Sequence, residues 1–184
     1  LFINMDVLNI LQENKHHEGR ILFIGCKEFT VAEAIFEAVN SGKYPKRDFS
    51  FYVDKSKKGW QKYYDLTLSI QNNLKLKADL NRVENILEVN YSDSQDISVL
   101  VLEGLKVPQV VEVYNSIKSS IKSSVLIIVT VDQIQNTNFK DRLNSEFNTQ
   151  HVVHLDKFSY IEVVKDVIPI KVHRKISRSN SVLT

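Results

Sequence analysis

Short apolar runs alternate with helical segments along most of this chain, and that alternation limits the fold more than any other feature. The runs have the length of buried strands, and several are apolar on both faces, as in strands that helices cover from both sides. The predicted strands span residues 20–25, 49–54, 86–90, 97–104, 125–131 and 151–155. Strands that alternate with helices along the chain are typical of βαβ units.

Helical periodicity occupies the gaps between these strands. Val31, Ala34, Ile35, Ala38 and Val39 recur at i, i+3, i+4, i+7 and i+8, which places them on one helical face. Further helices are predicted at 5–15, at 60–77 on the i+4 steps of Trp60, Tyr64 and Leu68, at 110–121 after Pro108, and around 139–147. We therefore predict an α/β, Rossmann-like, doubly wound and mostly parallel sheet with helices on both faces.

The length of 184 residues predicts a single α/β domain over 1–172, and the polar, serine-rich segment 173–184 is predicted to be a flexible tail. One cysteine, Cys26, excludes an internal disulfide and a cysteine-rich zinc site, and it favours a reducing, intracellular and cytoplasmic setting. His16 and His17 are adjacent in a turn, and His151 and His154 point to opposite faces of a strand, so no metal site is predicted. No apolar run is long enough to cross a membrane.

The net charge of +2 gives no general argument for binding nucleic acid. One local pattern does mix aromatic and basic residues: Trp60, Tyr63 and Tyr64 lie beside Lys57, Lys58 and Lys62, as in proteins that bind single strands. At helical spacing the same aromatic residues can instead pack on the sheet while the lysines stay in water. We favour packing on the sheet.

In a doubly wound sheet, ligands bind beyond the carboxyl ends of the strands, where the strand order reverses. That rule selects candidate site residues before any motif does. The candidates are Gly25 to Phe29, Asp54, Asn90 to Asp93, Glu103 and Gly104, and Asp132.

The order of these elements resembles the class I S-adenosylmethionine-dependent methyltransferases, over about residues 5–172. "ILFIG" resembles their first strand, "YVD" the end of the second, "ILEVNYSD" the third-strand region, "DISVLVLEG" the fourth and "VLIIVTV" the fifth. "HVVHLDKFSYIEVV" resembles their terminal antiparallel hairpin. The resemblance implies S-adenosylmethionine as cofactor.

The same resemblance also implies a role for each candidate residue. Gly25 and Cys26 would lie against the amino-acid part of the cofactor, and Asp54 would hold the ribose hydroxyls. Asn90 and Asp93 would lie near the adenine, and Glu103 would be the catalytic residue near the methyl acceptor.

The first loop departs from the pattern of that family. Only Gly25 remains of the usual two or three glycines, and Lys27 and Phe29 stand where the later ones are expected. Thr30 and Glu33 predict a T-x-x-E capping box, which would satisfy backbone donors that an anionic ligand needs. Two hypotheses follow: a methyltransferase with a divergent loop and an unknown acceptor, or an inactive methyltransferase-like domain that binds a protein partner or a second copy of itself.

Overall fold

The computed structural model describes residues 2–13, 18–27, 29–91, 96–121, 125–131, 152–157, 164–167 and 173–176. The helices are α1 (Phe2–Glu13), α2 (Phe29–Asn40), α3 (Trp60–Ser69) and α4 (Val107–Ile117). A π-helical turn, Ile70–Leu74, extends α3, and a 3-10 turn spans Ile86–Glu88. The strands are β1 (Arg20–Ile24), β2 (Phe49–Asp54), β3 (Ala78–Val83), β4 (Ile97–Leu105), β5 (Leu126–Val131), β6 (Val152–Lys157), β7 (Val164–Val167) and β8 (His173–Ile176).

The described strands form one sheet in the order β3-β2-β1-β4-β5-β6-β7-β8. Neighbouring strands from β3 to β6 run parallel, and β7 and β8 continue the sheet as antiparallel strands. This confirms the predicted doubly wound sheet and its antiparallel end. The order reverses at β1, since the chain goes from β1 to β2 and β3 on one side and reaches β4, β5 and β6 on the other.

Alternating side chains of the central strands divide the core into two layers. Phe23 and Phe51 belong to the layer under α1, α2 and α3, while Leu22 and Leu102 belong to the layer under α4. The predicted apolar face of α2 is buried as expected. Because both faces of β1 and β4 are covered, these strands are apolar on both sides, which is why the sequence reveals them so clearly.

The prediction of the third strand was wrong. Residues 86–90 hold the 3-10 turn, and the strand beside β2 is "ADLNRV", residues 78–83, a segment for which the sequence pattern predicts no strand. This strand is the first in the sheet order and only half covered. Its apolar residues alternate with Asp79, Asn81 and Arg82, so the segment lacks the continuous apolar run of a central strand.

The prediction that the aromatic residues of α3 pack on the sheet is confirmed for Tyr63 and in part for Trp60, and it is wrong for Tyr64. Tyr63, Leu66 and Thr67 are buried, whereas Tyr64 and Leu68 are 47% and 37% exposed. The i+4 steps of Trp60, Tyr64 and Leu68 are real, but Trp60 packs only partly against the core, and Tyr64 and Leu68 lie on the outside of the helix. Periodicity shows that a face exists, and it does not show which of two apolar faces meets the core.

Two boundaries also differ from the prediction. Helix α2 begins at Phe29, so Thr30 lies inside the first turn and is not the residue that caps it. Strand β8 pairs with β7 from His173 onward, so the sheet includes four residues that we predicted to belong to the tail. The predicted helix around 139–147 lies outside the described residues, as does the tail beyond 176.

Candidate functional site at the carboxyl edge of the sheet

The carboxyl ends of β1, β2 and β4 meet where the strand order reverses, which is where this fold places ligands. Gly25 and Cys26 follow β1, Asp54 ends β2, and Glu103 lies near the end of β4. These four residues therefore lie at the carboxyl edge of the sheet, as their positions after the predicted strands indicated. The contacts of each residue show which groups occupy that edge.

Gly25 is required by the packing of β1 against β4. Its φ of +107° is one that residues with side chains rarely adopt, and its N–H donates to the Tyr52 carbonyl oxygen at 3.0 Å. A Cβ added here would lie 2.5 Å from the Glu103 carbonyl oxygen and 2.9 Å from Leu105 Cδ2. Strand β4 thus occupies the space beside Gly25. The close contact between the two segments explains why this position is a glycine.

Cys26 is a buried thiol with a φ of +53°. Burial raises its pKa well above the ordinary value and the charge of Glu103 raises it further, while a backbone hydrogen bond at Tyr52 lowers it. The thiol is therefore protonated at neutral pH. Since the thiolate is the reactive form, these surroundings do not activate Cys26 as a nucleophile.

Glu103 is fully buried, and its side chain reaches across the reversal point to α3. Tyr63, itself 1% exposed, donates its hydroxyl hydrogen to Glu103 Oε1 at 3.0 Å. Helix α3 follows β2, so this hydrogen bond links elements on both sides of β1. The bond lies next to the end of β1, since Glu103 follows Leu102, the partner of Ile24, and its carbonyl oxygen lies against Gly25.

Phe29 and Phe51 hold Tyr63 in this position. The Phe29 ring meets the Tyr63 ring edge-on at 5.1 Å between centroids, and the Phe51 ring on β2 meets it at 5.7 Å. Phe29 occupies a position where the resemblance leads us to expect a glycine. Its ring packs on the core, while the neighbouring Lys27 is exposed.

Strand β4 has a bulge directly after Glu103, which itself faces the same layer as Val99 and Val101 by simple alternation. Glu103 pairs with Thr130 and Leu105 with Val131, so Gly104 is the extra residue, with a φ of +70°. The Gly104 N–H donates to Thr130 Oγ1 at 2.8 Å. Simple alternation would place Leu105 on the same face of the sheet as Glu103. Because of the bulge, Leu105 instead lies in the opposite core layer, under α4.

Asp54 is partly exposed, and one of its oxygens is used by the protein. Oδ1 accepts a hydrogen bond from the Ile86 N–H at 2.7 Å, which fixes the start of the 3-10 turn after β3. Tyr91 holds the same turn, since its hydroxyl donates to the Ile86 carbonyl oxygen at 2.8 Å. Burial raises the pKa of Tyr91, and the charges of Tyr52 and Asp54 raise it further.

The remaining candidates are exposed or lie outside the described residues. Asn90 is exposed in the segment after the 3-10 turn. Glu28, Asp93 and Asp132 lie outside the described residues. The roles assigned to Gly25, Cys26, Asp54, Asn90, Asp93 and Glu103 by resemblance stay predictions.

The sequence predicts that Tyr63 packs on the sheet, and the structure confirms this burial. The sequence did not reveal that Tyr63 donates to Glu103 or that Thr130 accepts from Gly104 N–H, because both bonds join residues far apart in the chain. The i+3 and i+4 relation of Tyr63 to Leu66 and Thr67 is the one local sign of the buried face. Within the described ranges no cluster of His, Cys, Asp or Glu could hold a metal ion, and no helix there is long and apolar enough to span a membrane.

Comparison with known proteins supports the fold. No protein family and no curated protein sequence matches the chain. Among solved structures, it is similar to the apo structure of TDP-rhamnose 3'-O-methyltransferase, an enzyme in calicheamicin biosynthesis, with a TM-score of 0.56 and 12% identity. The match covers 82% of this chain and 72% of that one. At this identity the likeness shows a methyltransferase-like, Rossmann-like fold.

Proposed function

We propose that this chain is a methyltransferase-like domain that has lost cofactor binding at its crevice and works by binding another protein. The observation that carries the proposal is the Tyr63–Glu103 hydrogen bond at 3.0 Å, made between two buried side chains next to the end of β1. A cofactor entering there would have to break this bond and leave a buried carboxylate without that donor, which is costly.

Two further observations support the loss of the cofactor site. The only glycine of the first loop is used against β4, because a Cβ there would lie 2.5 Å from the Glu103 carbonyl oxygen. The backbone at Gly25 is therefore already in close contact with protein, where methyltransferases bring it close to the cofactor. Phe29 and Tyr63 add bulk at the same edge. The residues present do not fit S-adenosylmethionine in this arrangement.

A second candidate function is an active S-adenosylmethionine-dependent methyltransferase with an unknown acceptor. Asp54 favours this candidate, since this acid ends β2 and is partly exposed. The similarity of the chain's fold to that of a methyltransferase favours it too. One Asp54 oxygen already accepts from Ile86 N–H, but a carboxylate oxygen has capacity for a further donor.

Calorimetric titration with S-adenosylmethionine and with S-adenosylhomocysteine distinguishes the two candidates. Our proposal predicts no saturable heat at millimolar ligand for the wild-type protein. Saturable heat that Asp54→Ala abolishes would support the methyltransferase candidate and overturn ours. The Lys55→Ala variant is the matched control, since the exposed Lys55 side chain pairs with Glu84 next to the same strand end.

A further inference from the structure

Trp60, Tyr64 and Leu68 form an apolar stripe along α3, and of the three only Trp60 packs partly against the core. Tyr64 and Leu68 are 47% and 37% exposed, and they are the large hydrophobic side chains that stand out as exposed in the described ranges. Trp60, one helical turn earlier, is half-buried and meets the Tyr64 ring at 6.1 Å. Trp and Tyr are the residues that most often dominate binding energy at protein interfaces.

Beside this stripe runs an outer strand edge. Strand β3 is first in the sheet order, and no described strand pairs with its far side. Phe49 N–H donates to the Lys77 carbonyl oxygen and Lys55 N–H to that of Val83, so odd-numbered residues turn their backbone groups toward β2. In a parallel ladder the backbone groups of Ala78, Leu80 and Arg82 therefore point outward.

The helix and the strand edge form one surface. The Arg82 guanidinium lies 4.0 Å from the centroid of the Trp60 ring, which joins the strand to the stripe. Gln71 Nε2 donates to the outward-facing Ala78 carbonyl oxygen at 2.7 Å, in the manner of a strand partner's N–H. We name Trp60, Tyr64 and Leu68 with the outer backbone edge at Leu80 and Arg82 the α3–β3 surface.

Charge identifies the kind of partner that fits. From Lys57 to Arg82 the chain carries six lysine or arginine residues and two aspartates, whereas the whole chain has a net charge of only +2. Pairing of this edge with the same edge of a second copy would bring like charges together, so self-association is disfavoured here. An acidic partner has the complementary charge.

We infer that the α3–β3 surface binds an extended acidic peptide segment of a partner protein, which adds a strand to β3 and places alternate apolar side chains against Trp60, Tyr64 and Leu68. Main-chain hydrogen bonds to Leu80 and Arg82 hold the added strand, and the stripe selects its side chains. The inference names the partner class for the interaction function proposed above and rests on it.

The test uses a fluorescein-labelled peptide of alternating valine and glutamate, about seven residues long to match one strand, in a fluorescence anisotropy titration. We expect saturable binding that Trp60→Ala and Tyr64→Ala each weaken at least about tenfold, since both residues contact the added strand. Lys62→Ala is the matched control: it also removes an exposed side chain from α3, but its Nζ lies on the other side, 6.0 Å from the Phe29 ring centroid. Equal weakening by Lys62→Ala would overturn the inference, because it would indicate general charge attraction.

A charge reversal and hydrogen exchange sharpen the test. The Arg82→Glu variant is expected to bind the valine–glutamate peptide more weakly than the wild-type protein, because it replaces a positive charge at the strand edge with a negative one. Peptide binding is expected to slow exchange of the Leu80 and Arg82 amides, and unchanged exchange there would overturn strand addition. Binding of a single-stranded oligothymidylate in place of the peptide, lost in Trp60→Ala, would overturn it in favour of nucleic acid.

Failure of the peptide test leaves the calorimetric result for S-adenosylmethionine unaffected, so the failures of the two proposals are distinguishable. Far-ultraviolet circular dichroism of each variant checks that the fold is intact. Tyr64→Ala keeps the inference testable if Trp60→Ala disturbs the fold, since Tyr64 is the more exposed of the two aromatic residues.

Discussion

The Tyr63 hydroxyl on α3 donates to Glu103 Oε1 on β4 at 3.0 Å, and both side chains are buried. The bond joins the two halves of the sheet next to the end of β1. In this fold that position is normally available for a ligand. The interior of the protein therefore continues across the point where the strand order reverses.

Removal of the Tyr63 hydroxyl should destabilise the protein. In Tyr63→Phe the ring still packs on Phe29 and Phe51, but Glu103 loses a buried donor, so we expect the free energy of unfolding to fall by about 1–3 kcal/mol. Urea denaturation measures the change. Tyr64→Phe is the matched control on the exposed face and should stay within about 0.5 kcal/mol of wild type. Equal effects of the two substitutions would contradict a structural role for the Tyr63 bond.

Alanine at Gly25 should be far more damaging than alanine at other glycines. The added Cβ meets the Glu103 carbonyl oxygen at 2.5 Å, and φ is +107°, so we expect a loss of about 3 kcal/mol or more. Gly42 has a φ of +79° with nothing within 4 Å, and Gly42→Ala should cost about 1 kcal/mol. At Gly59 the neighbourhood is also open and φ is −84°, so Gly59→Ala should be close to neutral. Thermal unfolding of the three variants tests this order.

Thr130 should matter through its hydroxyl alone. Thr130→Val keeps the shape but leaves the buried Gly104 N–H without its acceptor, which should cost about 1–3 kcal/mol. Thr130→Ser retains the hydroxyl and should keep more of the stability than the valine variant. If serine proves as destabilising as valine, the lost methyl group is the cause, and the proposed support of the bulge is wrong.

The Cys26 thiol should make the protein less stable at alkaline pH. In the unfolded protein the Cys26 thiol ionises at about pH 8.5. Burial raises the pKa of this thiol in the folded state. Below that pH both states keep the proton, and the contribution to stability is complete. Above it the unfolded state loses its proton first, so the free energy of unfolding falls as pH rises.

Cys26→Ala should flatten this decline between about pH 8.5 and 10, where the unfolded tyrosines still keep their protons. Identical slopes in urea titrations of the two proteins would contradict this.

The sequence predicted the parts of the fold that depend on continuous burial. Strands β1, β2, β4 and β5 are apolar on both faces or nearly so, and their positions agree closely with prediction. Strand β3 was misplaced because its outer position leaves polar residues between Ala78 and Leu80 and beyond them. On α3 the i+4 stripe of Trp60, Tyr64 and Leu68 was misleading, because Tyr64 and Leu68 face outward and only Trp60 packs partly on the core.

The edge that holds the candidate site was also predictable, because the carboxyl ends of parallel strands follow from strand order. Its contents were not. The contact of Gly25 with β4 and the bond of Tyr63 with Glu103 each join residues far apart in the chain, and no local pattern reports such contacts. The bulge at Gly104 depends on Thr130 of the neighbouring strand in the same way.

The central claim is that protein side chains occupy the place of the cofactor beside Gly25. Its most direct test is a titration with S-adenosylhomocysteine followed by proton–nitrogen correlation NMR. The amides of Gly25, Cys26 and Gly104 surround the reversal point and report on any ligand there. We predict that their chemical shifts stay unchanged up to millimolar ligand, because protein side chains already occupy the space. Shifts at these amides that saturate with ligand concentration would contradict the account.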